Sequence, residues 1–127
     1  MHKQGKKKIL AVVEDLLFTV KISDAAKRAG LDVEFVKSER DVVDKVNHEK
    51  PLLIILDLNF SVVQPLQLIS KIKSDGDTKQ ISIIGYLSHV QGELKQQAQD
   101  AGANIVMARS AFSQNLQQIL KRHSGVV

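Results

Sequence analysis

Residues 52–59 read Leu-Leu-Ile-Ile-Leu-Asp-Leu-Asn, with Pro51 in front of them. A short, continuous apolar run with β-branched members suits a strand buried on both faces, the kind that makes up parallel sheets. A strand with one wet face would alternate instead. The run delivers a single carboxylate, Asp57, at its far end. An acid in that place lies at the carboxyl edge of a parallel sheet, where α/β folds gather ligands and chemistry. Asp57 is therefore the first functional candidate, against the plainer reading of a polar residue solvated at a strand end.

Short apolar runs and amphipathic stretches alternate five times along the chain. Ile9 to Val13 is the first strand, and Phe18, Ile22, Ala26 and Ala29 then recur at helical spacing with Gly30 as the stop. Asp32 to Val36 alternates with period two, as a strand near the sheet edge would. Ser38 with Asp41 resembles a capping box opening a helix through Val42, Val43 and Val46, which Pro51 ends. Pro65 opens a helix carrying Leu66, Leu68, Ile69 and Ile72, and Ser74 to Asp77 forms the turn behind it. Ile81 to Leu87 is the fourth strand, Glu93 to Ala101 a glutamine-rich helix stopped by Gly102, and Ile105 to Met107 the fifth strand. Leu116, Ile119 and Leu120 mark the last helix. Strands alternating with helices predict a doubly wound three-layer α/β domain. With right-handed crossovers, the flavodoxin-like order 2-1-3-4-5 leads. We expect a basic, flexible terminus over residues 1–8 and one domain over 9–123.

Composition removes several function classes. The 127 residues contain no cysteine, which excludes disulfide scaffolds, thiolate metal sites and thiol catalysis. No apolar stretch is long enough to span a bilayer, and the lysine-rich beginning runs straight into a strand rather than a signal peptide. A cytoplasmic protein is expected. Much of the net charge of +4 comes from that lysine cluster. We read it as a solvated terminus and expect no nucleic-acid partner, since aromatic content of 4% leaves little for base stacking. No glycine-rich dinucleotide or nucleoside triphosphate cradle occurs, and two acids stand where a flavodoxin would carry its phosphate loop.

In the leading strand order the first, third, fourth and fifth strands end close together. Glu14 and Asp15 follow the first, Asp57 the third, Leu87 and Ser88 the fourth, and Arg109 the fifth. Three carboxylates at one edge repel one another unless a cation sits among them. Oxygen ligands with water access suit Mg²⁺. Such an ion would neutralise an incoming phosphoryl group so that an aspartate oxygen could attack phosphorus, with Arg109 pairing to the phosphoryl oxygens. Two other readings stand beside these. Glu14 and Asp15 could simply begin a helix, Asp15 as its N-cap, and Arg109 could form a standing ion pair with Asp57.

Taken together, residues 9–15, 51–59, 81–89 and 98–109, with Ala101-Gly102-Ala103-Asn104 before the fifth strand, resemble a response-regulator receiver domain of the CheY-like superfamily. Such domains are the phosphoacceptors of two-component signalling. The resemblance makes Asp57 the phosphorylated aspartate and puts Glu14 in the metal-binding acidic pair, with Asp15 or Val13 beside it according to register. Asn59 would offer its backbone carbonyl to Mg²⁺.

Three departures accompany the match. Arg109-Ser110 replaces lysine-proline, Leu87 fills the expected hydroxyl position with Ser88 one residue later, and Val106 replaces the aromatic switch residue. The leading expectation is a stand-alone, divergent receiver, not an enzyme. A histidine kinase or phosphotransfer protein would phosphorylate it, and a protein effector would read it through the fourth helix, fifth strand and fifth helix. The alternative is a pseudo-receiver, an interaction module that works without phosphate. His48 and His123 are expected at the surface, His89 in a partly exposed loop, and the glutamines at 91, 96, 97 and 99 on a neutral helix face.

Overall fold

A computed structural model describes residues 7–88 and 92–124. Five strands form one parallel sheet: β1 (Lys8–Val12), β2 (Asp32–Phe35), β3 (Leu53–Asp57), β4 (Ser82–Leu87) and β5 (Ile105–Ala108). Their order is β2-β1-β3-β4-β5, as the alternating pattern predicts. The helices between and after them are α1 (Leu16–Arg28), α2 (Glu39–Glu49), α3 (Pro65–Ser74), α4 (Gly92–Ala101) and α5 (Arg109–Ser124). A 3₁₀ turn over Ser61–Val63, not foreseen from the sequence, sits between β3 and α3. Helix α5 begins at the residue after β5 ends, with no loop between them.

The apolar runs divide strictly by parity. Leu10, Val12, Ile54, Leu56 and Ile83 pack on one side of the sheet against Val42 and Val46 of α2, Leu68, Ile69 and Ile72 of α3, and Ala98 of α4. Ile9, Ala11, Leu53, Ile55 and Ile84 pack on the other side against Phe18, Ile22 and Ala26 of α1 and Phe112, Leu116 and Leu120 of α5. A strand covered on both faces needs apolar residues at every position, which is why β3 shows no alternation.

Local signals fix the ends. Ser38 caps α2 by accepting the Asp41 N–H at 3.1 Å, and Pro65 opens α3. Gly102 adopts φ +119, and a Cβ there would come within 2.8 Å of the Lys73 side chain, so both conformation and space demand glycine. Asn104 extends the β4–β5 pairing: its side chain accepts the Ile83 N–H at 2.8 Å while its own N–H donates to the Ile83 carbonyl.

Strand β1 begins one residue earlier than expected, because Lys8 pairs with Asp32 at the start of the ladder and is tied by ion pairs to Glu34 and Glu49. The rest of the expected flexible terminus, apart from Lys7, lies outside the described residues, as do His89 and Gln91. Gln96, Gln97 and Gln99 are exposed on α4. His48 is exposed, whereas His123 is half-buried with a ring nitrogen 2.9 Å from the Ile119 carbonyl.

A carboxylate pocket at the carboxyl edge of the sheet

Outside the aromatic residues, two polar side chains are buried among the described residues. Thr78 is one, and its hydroxyl donates to the Ile72 carbonyl at 2.7 Å, a plain structural use. Asp57 is the other, only 6% exposed at the last position of β3. Its parity puts it on the α1–α5 side, in register with Tyr86 of β4. On the β1 side, Val12 pairs with Leu56, so Val13 is level with Asp57 and Glu14 is the first acid beyond it.

Burial pushes the Asp57 carboxyl above its ordinary value of 3.8, and the nearby negative charge of Glu14 pushes the same way. The backbone N–H groups of Asn59 and Glu14 work against that shift by favouring the charged form; the Asn59 N–H donates to Oδ1 at 2.9 Å. Glu14 is exposed just beyond β1, and it is the acid whose charge reaches Asp57.

Asp15 is turned to other uses. Its Oδ1 accepts the Leu17 N–H at 2.8 Å as the N-cap of α1. Its Oδ2 pairs with the Arg109 guanidinium. The expected convergence of Glu14, Asp15 and Asp57 around one ion is not what the chain adopts: among the described residues, no group of three or more carboxylate or imidazole side chains is arranged for a metal. A helix cap takes Asp15 because the first N–H groups of α1 need an acceptor. The standing ion pair envisaged between Arg109 and Asp57 is likewise made with Asp15 instead.

Arg109 is further held by Phe18, over whose ring the guanidinium carbon sits 4.5 Å from the centroid. Phe18 belongs to a cluster in which Tyr86 and Phe112 lie 4.9 Å apart and Phe18 lies 5.0 Å from Tyr86. The sequence reading missed Tyr86 and Phe112, and placed Phe18 only on the apolar face of the first helix. Tyr86 could have been found from the parity of β4, which aims it at the side of the sheet where Asp57 ends. Asn59 also does more than expected: its side-chain carbonyl accepts the Ser88 N–H at 2.8 Å, tying the loop after β3 to the end of β4. Ser88 itself is exposed, while Leu87 is buried and faces the opposite side of the sheet. Val106 is buried on β5.

Donors that suit a divalent ion do remain. Mg²⁺ needs only one or two protein carboxylates and keeps its other positions for water. Glu14 and Asp57 supply two, and the Asn59 carbonyl, which accepts the Ser61 N–H at 3.0 Å, lies two residues beyond Asp57.

A doubly wound parallel sheet with a buried aspartate at the end of its central strand, an acid after the first strand and a cation after the last defines a receiver-type signalling fold. The sequence matches the response regulator receiver domain family over residues 9–121, and the chain belongs to that family. It is a receiver domain of two-component signalling. The fold is similar to a response regulator from Hahella chejuensis, at TM-score 0.84 and 22% identity, covering 94% of this chain and 96% of that one. It is also similar to the chemotaxis response regulator CheY4 of Vibrio cholerae, at TM-score 0.80 and 22% identity, covering 94% and 99%. The Mn²⁺-bound form of response regulator Rcp1 matches at TM-score 0.74 and 17% identity, covering 91% and 90%. No curated protein matches the sequence. Among the described residues, no helix is long and apolar enough to cross a membrane.

Proposed function

We propose that this receiver takes a phosphoryl group on Asp57, as the acceptor in a two-component phosphorelay. The burial of that one carboxylate at the carboxyl edge of the sheet, with Glu14 beside it, carries the reading. A carboxylate oxygen of Asp57 attacks phosphorus, the bond from phosphorus to the donor nitrogen breaks, and its electron pair leaves with the donor imidazole, which takes up a proton. Glu14, Asp57 and the Asn59 carbonyl would hold Mg²⁺, which supplies charge neutralisation on the phosphoryl oxygens when bound. The N–H groups of Asn59 and Glu14 keep the Asp57 carboxylate aimed. Arg109 stands where the family carries a cation for the phosphoryl oxygens, and to serve them it must leave Asp15. Ser88 is the hydroxyl at the end of β4, with its backbone held by Asn59.

The donor would be a histidine kinase or phosphotransfer protein. Leu16, Leu17 and Val20 of α1 and Val62 of the 3₁₀ turn are 76%, 59%, 60% and 70% exposed. They follow Asp15 and Asn59 at the pocket's rim, and exposed apolar residues in such a place favour a protein contact. Output would pass to a protein effector through the α4–β5–α5 face, in a cytoplasmic setting and without a reaction on any separate substrate. Incubation with Mg²⁺ and a small acyl phosphate tests the acceptor: the wild type gains the mass of one phosphoryl group, and Asp57→Asn does not. No gain in the wild type, or an equal gain in the variant, rejects it.

One observation favours a second reading. Arg109 is already paired with Asp15 in the absence of phosphate, as it would be in a phosphorylation-independent interaction module. In that case Asp57→Asn binds the effector as well as the wild type does. Binding that appears only with beryllofluoride removes this alternative.

A further inference from the structure

We infer that Arg109 is a resident counter-cation that rivals a divalent ion for the acidic rim, so that the pocket's affinity for such an ion is governed by the Arg109–Asp15 pair. This rests on the donor set given above, Glu14 and Asp57. Both oxygens of Asp15 are committed, Oδ1 to the Leu17 N–H and Oδ2 to Arg109. An incoming ion that recruits Asp15 competes with the cap of α1 at one oxygen and with the guanidinium at the other. The guanidinium is not a wandering surface group. Its face rests on Phe18, which is 4% exposed and packed in turn on Tyr86 and Phe112. The pair is also partly withdrawn from water, with the Arg109 and Asp15 side chains 34% and 30% exposed. A fixed positive charge there neutralises the acid that flanks Glu14 and repels any second cation, and partial burial weakens the solvent screening that would mute both effects.

Titration with Mn²⁺ tests this, read through paramagnetic broadening of the amide signals of residues 14, 57 and 59. Arg109→Met keeps an apolar stem on Phe18 and removes the charge, and it should bind Mn²⁺ about tenfold more tightly than the wild type. Arg109→Lys retains the charge and should stay near the wild type. Asp15→Asn preserves a capping side chain but leaves the cation unpaired, so it should bind no more tightly than the wild type. Equal affinity in wild type and Arg109→Met, weaker binding in the variant, or no binding by either protein overturns the inference. If Arg109→Met fails to fold, as judged by its amide spectrum, Arg109→Gln serves in its place. The same preparations are assayed for phosphoryl uptake. Uptake without an Arg109 effect on Mn²⁺ rejects this inference alone, and an Arg109 effect without uptake rejects only the acceptor reading.

Discussion

Asp57 and Tyr86 face one another across β3 and β4, and each bears a cost of the pocket. The Tyr86 hydroxyl is fully buried with no hydrogen-bond partner among the described residues. Burial, and then the charge of Asp57, push its ionisation far above the ordinary range. A buried hydroxyl left unpaired costs roughly 1–3 kcal/mol, so Tyr86→Phe should raise stability by about 1 kcal/mol, measured by urea unfolding followed by circular dichroism. A loss of that size would mean that the hydroxyl has a partner in solution. Burial also raises the Asp57 carboxyl. The native state holds that proton more tightly than the unfolded chain does. Stability is therefore greatest below the ordinary value of 3.8 and falls as pH rises through the native one. Asp57→Asn should accordingly melt above the wild type at pH 7, with the gap closing in acid. A gap that persists unchanged below pH 3.8 would assign the effect to something other than this charge.

At the scale of elements, turn geometry and one charge network govern how the units meet. Replacing Gly102 with alanine forces a side chain into φ +119 and against Lys73, whose ammonium also donates to the Lys79 and Ile81 carbonyls. The expected loss is about 2 kcal/mol, read from denaturant midpoints. Lys8 of β1, Glu34 of β2 and Lys45 and Glu49 of α2 form a chain of ion pairs on the opposite edge from the pocket. Lys45 first and then Lys8 lower the Glu34 carboxyl, and Lys8 chiefly lowers that of Glu49. Depressed carboxyls give stability that is complete above their ordinary value of 4.5 and vanishes as pH falls through the native values. The two lysines are raised, Lys8 mainly by Glu49 and Lys45 mainly by Glu34, so their share disappears only when pH climbs past 10.5. In Glu34→Gln the acid limb of the stability profile should be shallower than in the wild type. An unchanged limb would show that these half-exposed pairs contribute nothing measurable.

Across the whole molecule, the same three central strands serve both hydrophobic layers, so neither layer can open without stripping the other. Unfolding in urea should be one transition, with Tyr86 fluorescence (the chain has one tyrosine and no tryptophan) and far-ultraviolet dichroism coinciding. Separate midpoints would reveal two units. The architecture was legible in the sequence because periodicity reports burial directly: the run at 52–58, the stops at Gly30 and Gly102 and the cap at Ser38 each state a local requirement. Asp57 was legible for the same reason, as an acid in the wrong company. Partner choice was not. Nothing in the order Glu14-Asp15 says that the first carboxylate stays exposed and the second goes to a helix cap and Arg109, because that depends on N–H groups and a guanidinium brought near by the fold. The 3₁₀ turn at Ser61–Val63 carries no periodic signal, being too short for one.

The junction at Ala108 and Arg109 has a mechanical result. A cation mounted on a flexible connector could swing between acceptors and leave its surroundings still. This one is the first residue of a sixteen-residue helix fused end-on to a strand, so its backbone has no slack. Any exchange of partners at the guanidinium that outruns the side chain's own reach must tilt the helix behind it. A change in the pocket large enough to shift that backbone would be felt first by the carboxyl-terminal helix.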